Sequence, residues 1–184
     1  MELVDTHAHL DHPPLADDAG GALARAQAAG VRYCLTMGTS VESSRKAVAL
    51  AERHPGVLAA VGIHPHDAEQ ADAAALEAIE ALAAHPRVVA IGEVGLDLSR
   101  KGAPGGAGQQ PGGASPVKAG APLAAQERAL RAFLAMARRA DKPIAIHCRD
   151  AYEELLRLAG ESPGGVRGVL HCASGPPAFI ERAL

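Results

Sequence analysis

The sequence predicts an α/β fold in which parallel strands and helices alternate as a (β/α) barrel. Short aliphatic or β-branched runs are each followed by an Ala-rich stretch with helical spacing, and this βα unit occurs six times. The chain is 48% hydrophobic but only 2% aromatic, and small aliphatic side chains suit helices packed on parallel strands. Histidines and a carboxylate collect at the carboxyl ends of the strands, which is where parallel barrels keep their functional sites.

The six strands are predicted from apolar runs at 3–5, 31–37, 57–63, 88–93, 144–147 and 168–171. The helices are predicted at 17–29, 41–53, 72–84, 123–140, 151–160 and 176–184, with Gly or Pro before most of the following strands. Strict alternation of strand and helix requires parallel strands joined by right-handed crossovers. This leaves two architectures, a closed barrel and an open doubly wound sheet.

The segment 101–122 interrupts this order. Gly, Pro, Ala and Gln dominate it without periodicity, and such a composition buries too little to offset the entropy of ordering. We predict a flexible loop that separates the fourth strand from its helix, and an inert insertion is favoured over a substrate lid. With this loop included, residues 1–184 are predicted to form a single domain.

Composition and charge exclude several classes of protein. The net charge of −3 lacks the broad basic surface that binds long nucleic acids. The three cysteines form no C-x-x-C pair and no secretory leader precedes Met1, which indicates a reduced cytoplasmic compartment. Apolar runs end well before the roughly 20 residues of a membrane span. We therefore expect a soluble cytoplasmic protein without a membrane partner, monomeric if the barrel is complete.

The distribution of polar residues distinguishes between the two architectures. Five of the six predicted strands contribute at their carboxyl ends: His7 and His9, His64 and His66, Glu93, His147, and His171. An open sheet concentrates its binding groups at one switch-point crevice, whereas a closed ring lets many strands contribute. The barrel is therefore the predicted architecture.

The spacing within these groups indicates a metal site. His7 and His9 are two residues apart, so an extended strand places both imidazoles on one face. Imidazole suits zinc and related metals, and a carboxylate such as Glu93 can bridge two cations. Cys148 and Cys172 follow His147 and His171, but alternation turns them toward the helix layer, where cysteine behaves as a small apolar residue.

Five segments together resemble the successive motifs of the TatD-type metallohydrolases: VDTHAHLD at 4–11, GIHPH at 62–66, GEVGLD at 92–97, IHCRDA at 146–151 and HCASG at 171–175. They span nearly the whole chain in the family's order. The resemblance implies a TIM-type (β/α) barrel of the metallo-dependent hydrolase kind, here with about six of eight βα units. It also implies two divalent ions (Mg, Mn or Zn), the first on His7, His9 and a shared Glu93, the second on His147 and His171.

The resemblance further implies a deoxyribonuclease that hydrolyses phosphodiester bonds with a metal-activated water. The phosphotriesterase type instead bridges its metals with a carboxylated lysine, where this chain has Glu93. Two alternatives stay open: a deacylase acting on D-aminoacyl-tRNA or another ester, and an inactive or fragmentary binding protein.

Further residues are candidates for catalysis and substrate binding. We expect Glu93 and His64 to be catalytic, although His64 and His66 could instead pack a loop around Pro65. His66, Arg149 and Asp97 are expected to bind substrate. Arg149 could instead form an ion pair with Asp150 or another loop carboxylate. Asp97, like Asp11, could orient site groups or cap a turn or helix.

Two departures from the family pattern bear on substrate choice and metal binding. Related chains usually continue for two more βα units and carry a further Asp ligand for the first metal, whereas this chain ends at Leu184. We therefore expect unpaired edges on the first and sixth strands. Leu98 also stands where the family often has an aromatic residue.

Overall fold

Six parallel strands form one sheet in this computed structural model, which describes residues 1–99, 120–171 and 175–184. They are β1 (Leu3–Ala8), β2 (Val31–Met37), β3 (Val57–Val61), β4 (Val88–Asp97), β5 (Ile144–Arg149) and β6 (Gly168–His171). The strands lie side by side in chain order, whereas an open doubly wound sheet reverses its order at a switch point. The sheet is a nearly closed barrel, as predicted.

A helix follows each strand, and α1, α2 and α3 begin at a residue whose side chain caps the helix. The helices are α1 (Ala19–Ala28), α2 (Val41–Arg53), α3 (Ala73–Ala83), α4 (Leu123–Arg139), α5 (Tyr152–Gly160) and α6 (Pro177–Ala183). The Ser40 side chain accepts the Ser43 N–H at 3.1 Å, and Asp72 accepts the Ala75 N–H at 2.8 Å. Such caps satisfy amide groups that a helix start leaves without partners.

Apolar side chains form two clusters, one on each face of the sheet. Between strands and helices lies the large core, which includes Ile91, Phe133 and Leu158. A smaller cluster contains Met37, Ala60, Ala90 and Ala145. Because side chains alternate along a strand, the face of β5 that carries Ala145 also carries His147. The small interior side chains therefore lie on the same face of the sheet as the histidines.

Cys148 belongs to the outer layer, as the alternation predicts. It is buried in the same cluster as Phe133 and Leu155. Burial raises the pKa of its thiol to about 11, and burial likewise raises that of Cys34 to about 11. Metal ligation requires the thiolate, so neither cysteine is suited to it.

One predicted boundary is wrong in a way that affects the site. Strand β4 was expected to end at Glu93 but continues to Asp97, so Glu93 lies within the strand. Val94 and Leu96 are fully buried and extend the pairing with β5. Gly95 adopts a φ of +146°, and a Cβ there would lie 1.9 Å from the carbonyl oxygen of His147. Because Gly95 has no side chain, β4 and β5 can approach each other closely at this position.

Smaller differences concern other segments, among them β5, which ends two residues later than predicted. The helix predicted at 17–29 is divided into a 3₁₀ turn at Leu15–Asp18 and α1, where the Asp18 side chain accepts the Gly21 N–H at 2.9 Å. Strand β1 is three residues longer than predicted, and β3 ends two residues earlier. Pro65–Gln70 forms an unpredicted 3₁₀ segment.

Strands β1 and β6 are the two edges of the sheet among the residues described, as expected. At their carboxyl ends, however, the rings of His7 and His171 stack with centroids 3.5 Å apart. Two of the sequence predictions lie outside the described residues. Most of the loop predicted at 101–122 falls within 100–119, and Cys172 falls within 172–174.

In the part of the chain that is described, no helix is long and apolar enough to cross a membrane.

Candidate metal centre

The carboxyl end of β1 directs two imidazoles at the same point. His7 lies within β1 and His9 follows its last residue. Their Nε2 atoms are 3.3 Å apart, which confirms that the H-x-H spacing places both rings on one face. Both rings are partly buried, so the pair lines the barrel mouth.

Glu93 is the carboxylate that the histidines surround, and its side chain is 4% exposed. Its Oε2 atom lies 3.5 Å from Nε2 of His7 and 3.4 Å from Nε2 of His9. Its Oε1 atom lies 2.9 Å from Nδ1 of His147 and 3.6 Å from Nε2 of His171. Each carboxylate oxygen therefore faces a different pair of histidines, as a bridging ligand requires.

The spacing of these atoms fits a divalent transition metal. Nε2 of His7, Nε2 of His9 and Oε2 of Glu93 form a triangle with sides of 3.3, 3.4 and 3.5 Å. A tetrahedral zinc with bonds of about 2.1 Å has ligand atoms about 3.4 Å apart. Nitrogen and carboxylate oxygen are also the donors that such ions prefer. The spacing of these three donor atoms is therefore compatible with one shared ion.

The second pair of histidines has a third neighbour. Nε2 of His64 lies 3.8 Å from Oε1 of Glu93, and its ring meets that of His147 edge to face at 4.8 Å. Two three-residue groups with metal-ligand spacing share Glu93: one contains His7 and His171, the other His64 and His147. His64, expected to be catalytic, is thus within reach of an ion held on Oε1.

In the absence of metal, the Glu93 carboxyl group is ionised. Burial alone would raise its pKa, but hydrogen bonds with His147 and His7 outweigh burial and hold the pKa well below its usual range. Burial would lower the pKa of His147, but hydrogen bonds with Asp97 and Glu93 raise it overall. Burial lowers the pKa of His64 to about 4, so this imidazole is neutral at neutral pH.

Asp97, the last residue of β4, contacts two histidines. Its Oδ2 atom is 2.9 Å from Nε2 of His66 and 3.1 Å from Nε2 of His147. Its Oδ1 atom accepts the Ser99 N–H at 2.9 Å and the Ser99 hydroxyl at 2.5 Å. Although burial opposes ionisation, these partners hold the pKa of Asp97 below its usual range. With its side chain 1% exposed, Asp97 is placed to orient the two imidazoles.

Two supporting residues were missed by the sequence analysis. Gln126 on α4 accepts the Asp97 N–H at 2.7 Å and donates to the carbonyls of Asp97 and Ala121. A polar residue on the buried face of an amphipathic helix was the available signal, since buried amides need partners. Ser43 on α2 donates to Asp11 at 2.6 Å, and no sequence pattern links these two residues.

Arg149 is the last residue of β5 and is partly buried. Its carbonyl accepts the Leu98 N–H at 2.9 Å. Within the described residues, no ion pair joins Arg149 to Asp150. The alternative of a structural pair between these neighbours is therefore not supported.

Histidines around a shared carboxylate at the carboxyl ends of barrel strands define the class of (β/α)-barrel metal-dependent hydrolases. Within that class, the family model described as TatD related DNase matches residues 4–184. The chain belongs to this family, as the five motifs indicated.

Individual relatives agree with this assignment. The chain is 38% identical over 187 residues to a protein of Salmonella typhimurium named 3′-5′ ssDNA/RNA exonuclease TatD, a match covering 99% of this chain and 65% of that protein. The crystal structure of a TatD homologue from Escherichia coli K12 matches with a TM-score of 0.80 and 31% identity, over 98% of this chain and 64% of that one.

A more distant structure supports the fold alone. An uncharacterised amidohydrolase from Saccharomyces cerevisiae matches with a TM-score of 0.73 and 15% identity, over 99% of this chain and 64% of that chain. This chain therefore spans about two thirds, or slightly less, of the length of the relatives it matches.

Proposed function

We propose that this chain carries the metal centre of a nuclease that hydrolyses the phosphodiester bonds of single-stranded nucleic acid. The observation that carries the proposal is the arrangement of Glu93, whose two oxygens face two different pairs of histidines. Membership of the family supports the reaction. The name of the Salmonella relative supports a single-stranded substrate that is degraded from its 3′ end.

Five side chains would hold two divalent ions, Mg, Mn or Zn. His7 and His9 would act with Oε2 of Glu93, and His147 and His171 with Oε1. Such ions would lower the pKa of a bound water and neutralise charge on the phosphate oxygens. They would thereby supply the local positive charge that the net charge of −3 lacks.

Three further side chains would bind or orient the substrate. His64 is neutral and its Nδ1 accepts the His66 N–H, so its Nε2 would carry the ring hydrogen and could donate a hydrogen bond beside Glu93. His66 is held by Asp97 at the rim, where its ring can contact a phosphate. Arg149, the last residue of β5, would add a charge-assisted hydrogen bond to the phosphate. The proposal also includes a cytoplasmic location and, if the barrel is complete, a monomeric state.

The test replaces Glu93 and follows both metal and cleavage. Glu93→Gln keeps the shape of the side chain but removes the negative charge shared by the two positions, so metal affinity should fall by at least about 100-fold. Calorimetric titration with Zn²⁺ or Mn²⁺ measures this, and a 5′-labelled single-stranded oligonucleotide with Mg²⁺ or Mn²⁺ reports cleavage.

Glu77→Gln is the matched control, because Glu77 is an exposed residue of α3. It should bind metal and cleave as the wild type does. Unchanged affinity in Glu93→Gln would contradict the bridging role. A wild-type protein that hydrolyses an aminoacyl-tRNA ester but not the oligonucleotide would contradict the nuclease.

A further inference from the structure

Asp11 is a buried carboxylate with one unused oxygen. It lies two residues beyond His9, and its side chain is 3% exposed. Oδ2 accepts the hydroxyl hydrogen of Ser43 at 2.6 Å, but Oδ1 is buried without a hydrogen-bond partner. Leaving a buried polar atom without a partner costs about 1–3 kcal/mol, and more for a charged group.

His9 has a complementary unused atom. Its Nε2 is directed at Nε2 of His7 and at Glu93, while its Nδ1 is buried and has no partner. A ring nitrogen of His9, a carboxylate oxygen of Asp11 and a ring nitrogen of His12 all lie within 4.8 Å of one another. A ring nitrogen and a carboxylate oxygen are thus both without a hydrogen-bond partner in one small buried region.

We propose that Asp11 is the positioning residue of His9. The two atoms are not hydrogen-bonded in this structure, but a closer approach would let Oδ1 accept the Nδ1–H of His9. This would leave the lone pair of the imidazole on Nε2, the atom that faces His7 and Glu93. A metal-binding histidine commonly donates its second nitrogen to a carboxylate, which fixes the tautomer and raises the basicity of the ligand. The inference rests on the proposed function, since it assigns His9 to the metal centre.

Ser43 keeps Asp11 in place. Its hydroxyl donates to Oδ2 of Asp11 and accepts the Thr39 N–H at 3.1 Å. Ser43 lies in the first turn of α2, whose cap is Ser40. The carboxylate is therefore tied to the start of a helix, where the helix dipole stabilises negative charge. This leaves Oδ1 available for His9.

The same three residues could instead form a separate cation site. A neutral imidazole has a single lone pair, however, and a cation on Nδ1 would withdraw His9 from the point that Nε2 shares with His7 and Glu93. His12 is also half exposed, with 51% of its side chain accessible. The geometry therefore favours a hydrogen bond over a cation.

The first test measures the tautomer of His9 in metal-free protein by ring ¹⁵N NMR, assigned with a His9→Gln variant. We expect Nδ1–H in the wild type and loss of that preference in Asp11→Ala. The second test is calorimetric Zn²⁺ titration, in which Asp11→Ala and Ser43→Ala should each bind about 10- to 100-fold more weakly. Ser43→Thr retains the hydroxyl and should restore affinity.

Asp72→Ala is the control, because it removes a hydrogen-bonded carboxylate that caps α3 away from the centre. It should lower melting temperature without changing affinity or tautomer. The inference would be overturned if Asp11→Ala kept the wild-type tautomer of His9 and the wild-type affinity for zinc. It would also be overturned if Asp11→Ala lost only the binding of an additional, more weakly bound zinc ion. If wild type binds no metal, the proposed function fails, while the tautomer alone still decides the Asp11 contact.

Discussion

His64 should make the stability of the metal-free protein depend on pH. Burial lowers its folded-state pKa from 6.5 to about 4, so between these values the unfolded chain binds a proton that the folded protein does not. The contribution of neutral His64 to the free energy of unfolding is then fully present above pH 6.5 and is lost as the pH falls toward 4. One pKa unit corresponds to about 1.4 kcal/mol, so the loss is about 2–3 kcal/mol, allowing for partial exposure of the ring.

The measurement is urea unfolding with a chelator present, above pH 6.5 and near pH 4, in wild type and His64→Asn. Asparagine can replace the His64 nitrogen that accepts the His66 N–H at 3.2 Å. His147, whose pKa is raised, contributes in the opposite sense, but it is present in both proteins and largely cancels. The variant should lose about 2–3 kcal/mol less than wild type over this interval. Equal losses would refute the reasoning.

Two further predictions concern strand packing and the thiols. Gly95→Ala should cost about 1–3 kcal/mol or more in urea unfolding, because its φ is +146° and the added Cβ would meet the His147 carbonyl. The control is Gly160→Ala, whose Cβ would meet nothing within 4 Å; equal destabilisation of both variants would contradict the packing argument. Of the three cysteines, at most one should react quickly with a thiol reagent at neutral pH, because burial raises the pKa of Cys34 and Cys148. Rapid reaction of two thiols in the folded protein would contradict this.

Local signals account for the elements whose bounds were predicted well. Strand β2 has the predicted limits because Gly30, with a φ of +96°, ends the preceding helical segment. Helix α2 likewise has the predicted limits, since Ser40 caps its start and a His-Pro step follows its end. In both cases the residues that decide the boundary are adjacent to it in sequence.

The features that were predicted wrongly or missed depend on contacts between residues that are far apart in the sequence. Glu93 and Gly95 resemble residues that end a strand, but pairing with β5 continues β4 to Asp97. In the centre, spacing alone predicted that His7 and His9 share a face. The support of Asp97 by Gln126, 29 positions away in sequence, depends on how α4 packs on the barrel, and nothing in the spacing of either residue indicates it.

The stacked rings of His7 and His171 bring together the two ends of the strand ladder. Contacts between residues this distant in sequence carry a large loop-closure entropy, so we expect them to form late, after neighbouring strands have paired. The histidine cluster is consequently a product of nearly complete folding. Partly folded chains present scattered imidazoles rather than a chelating pocket, so capture of a metal ion would distinguish the native state from every intermediate that lacks the first or the last strand.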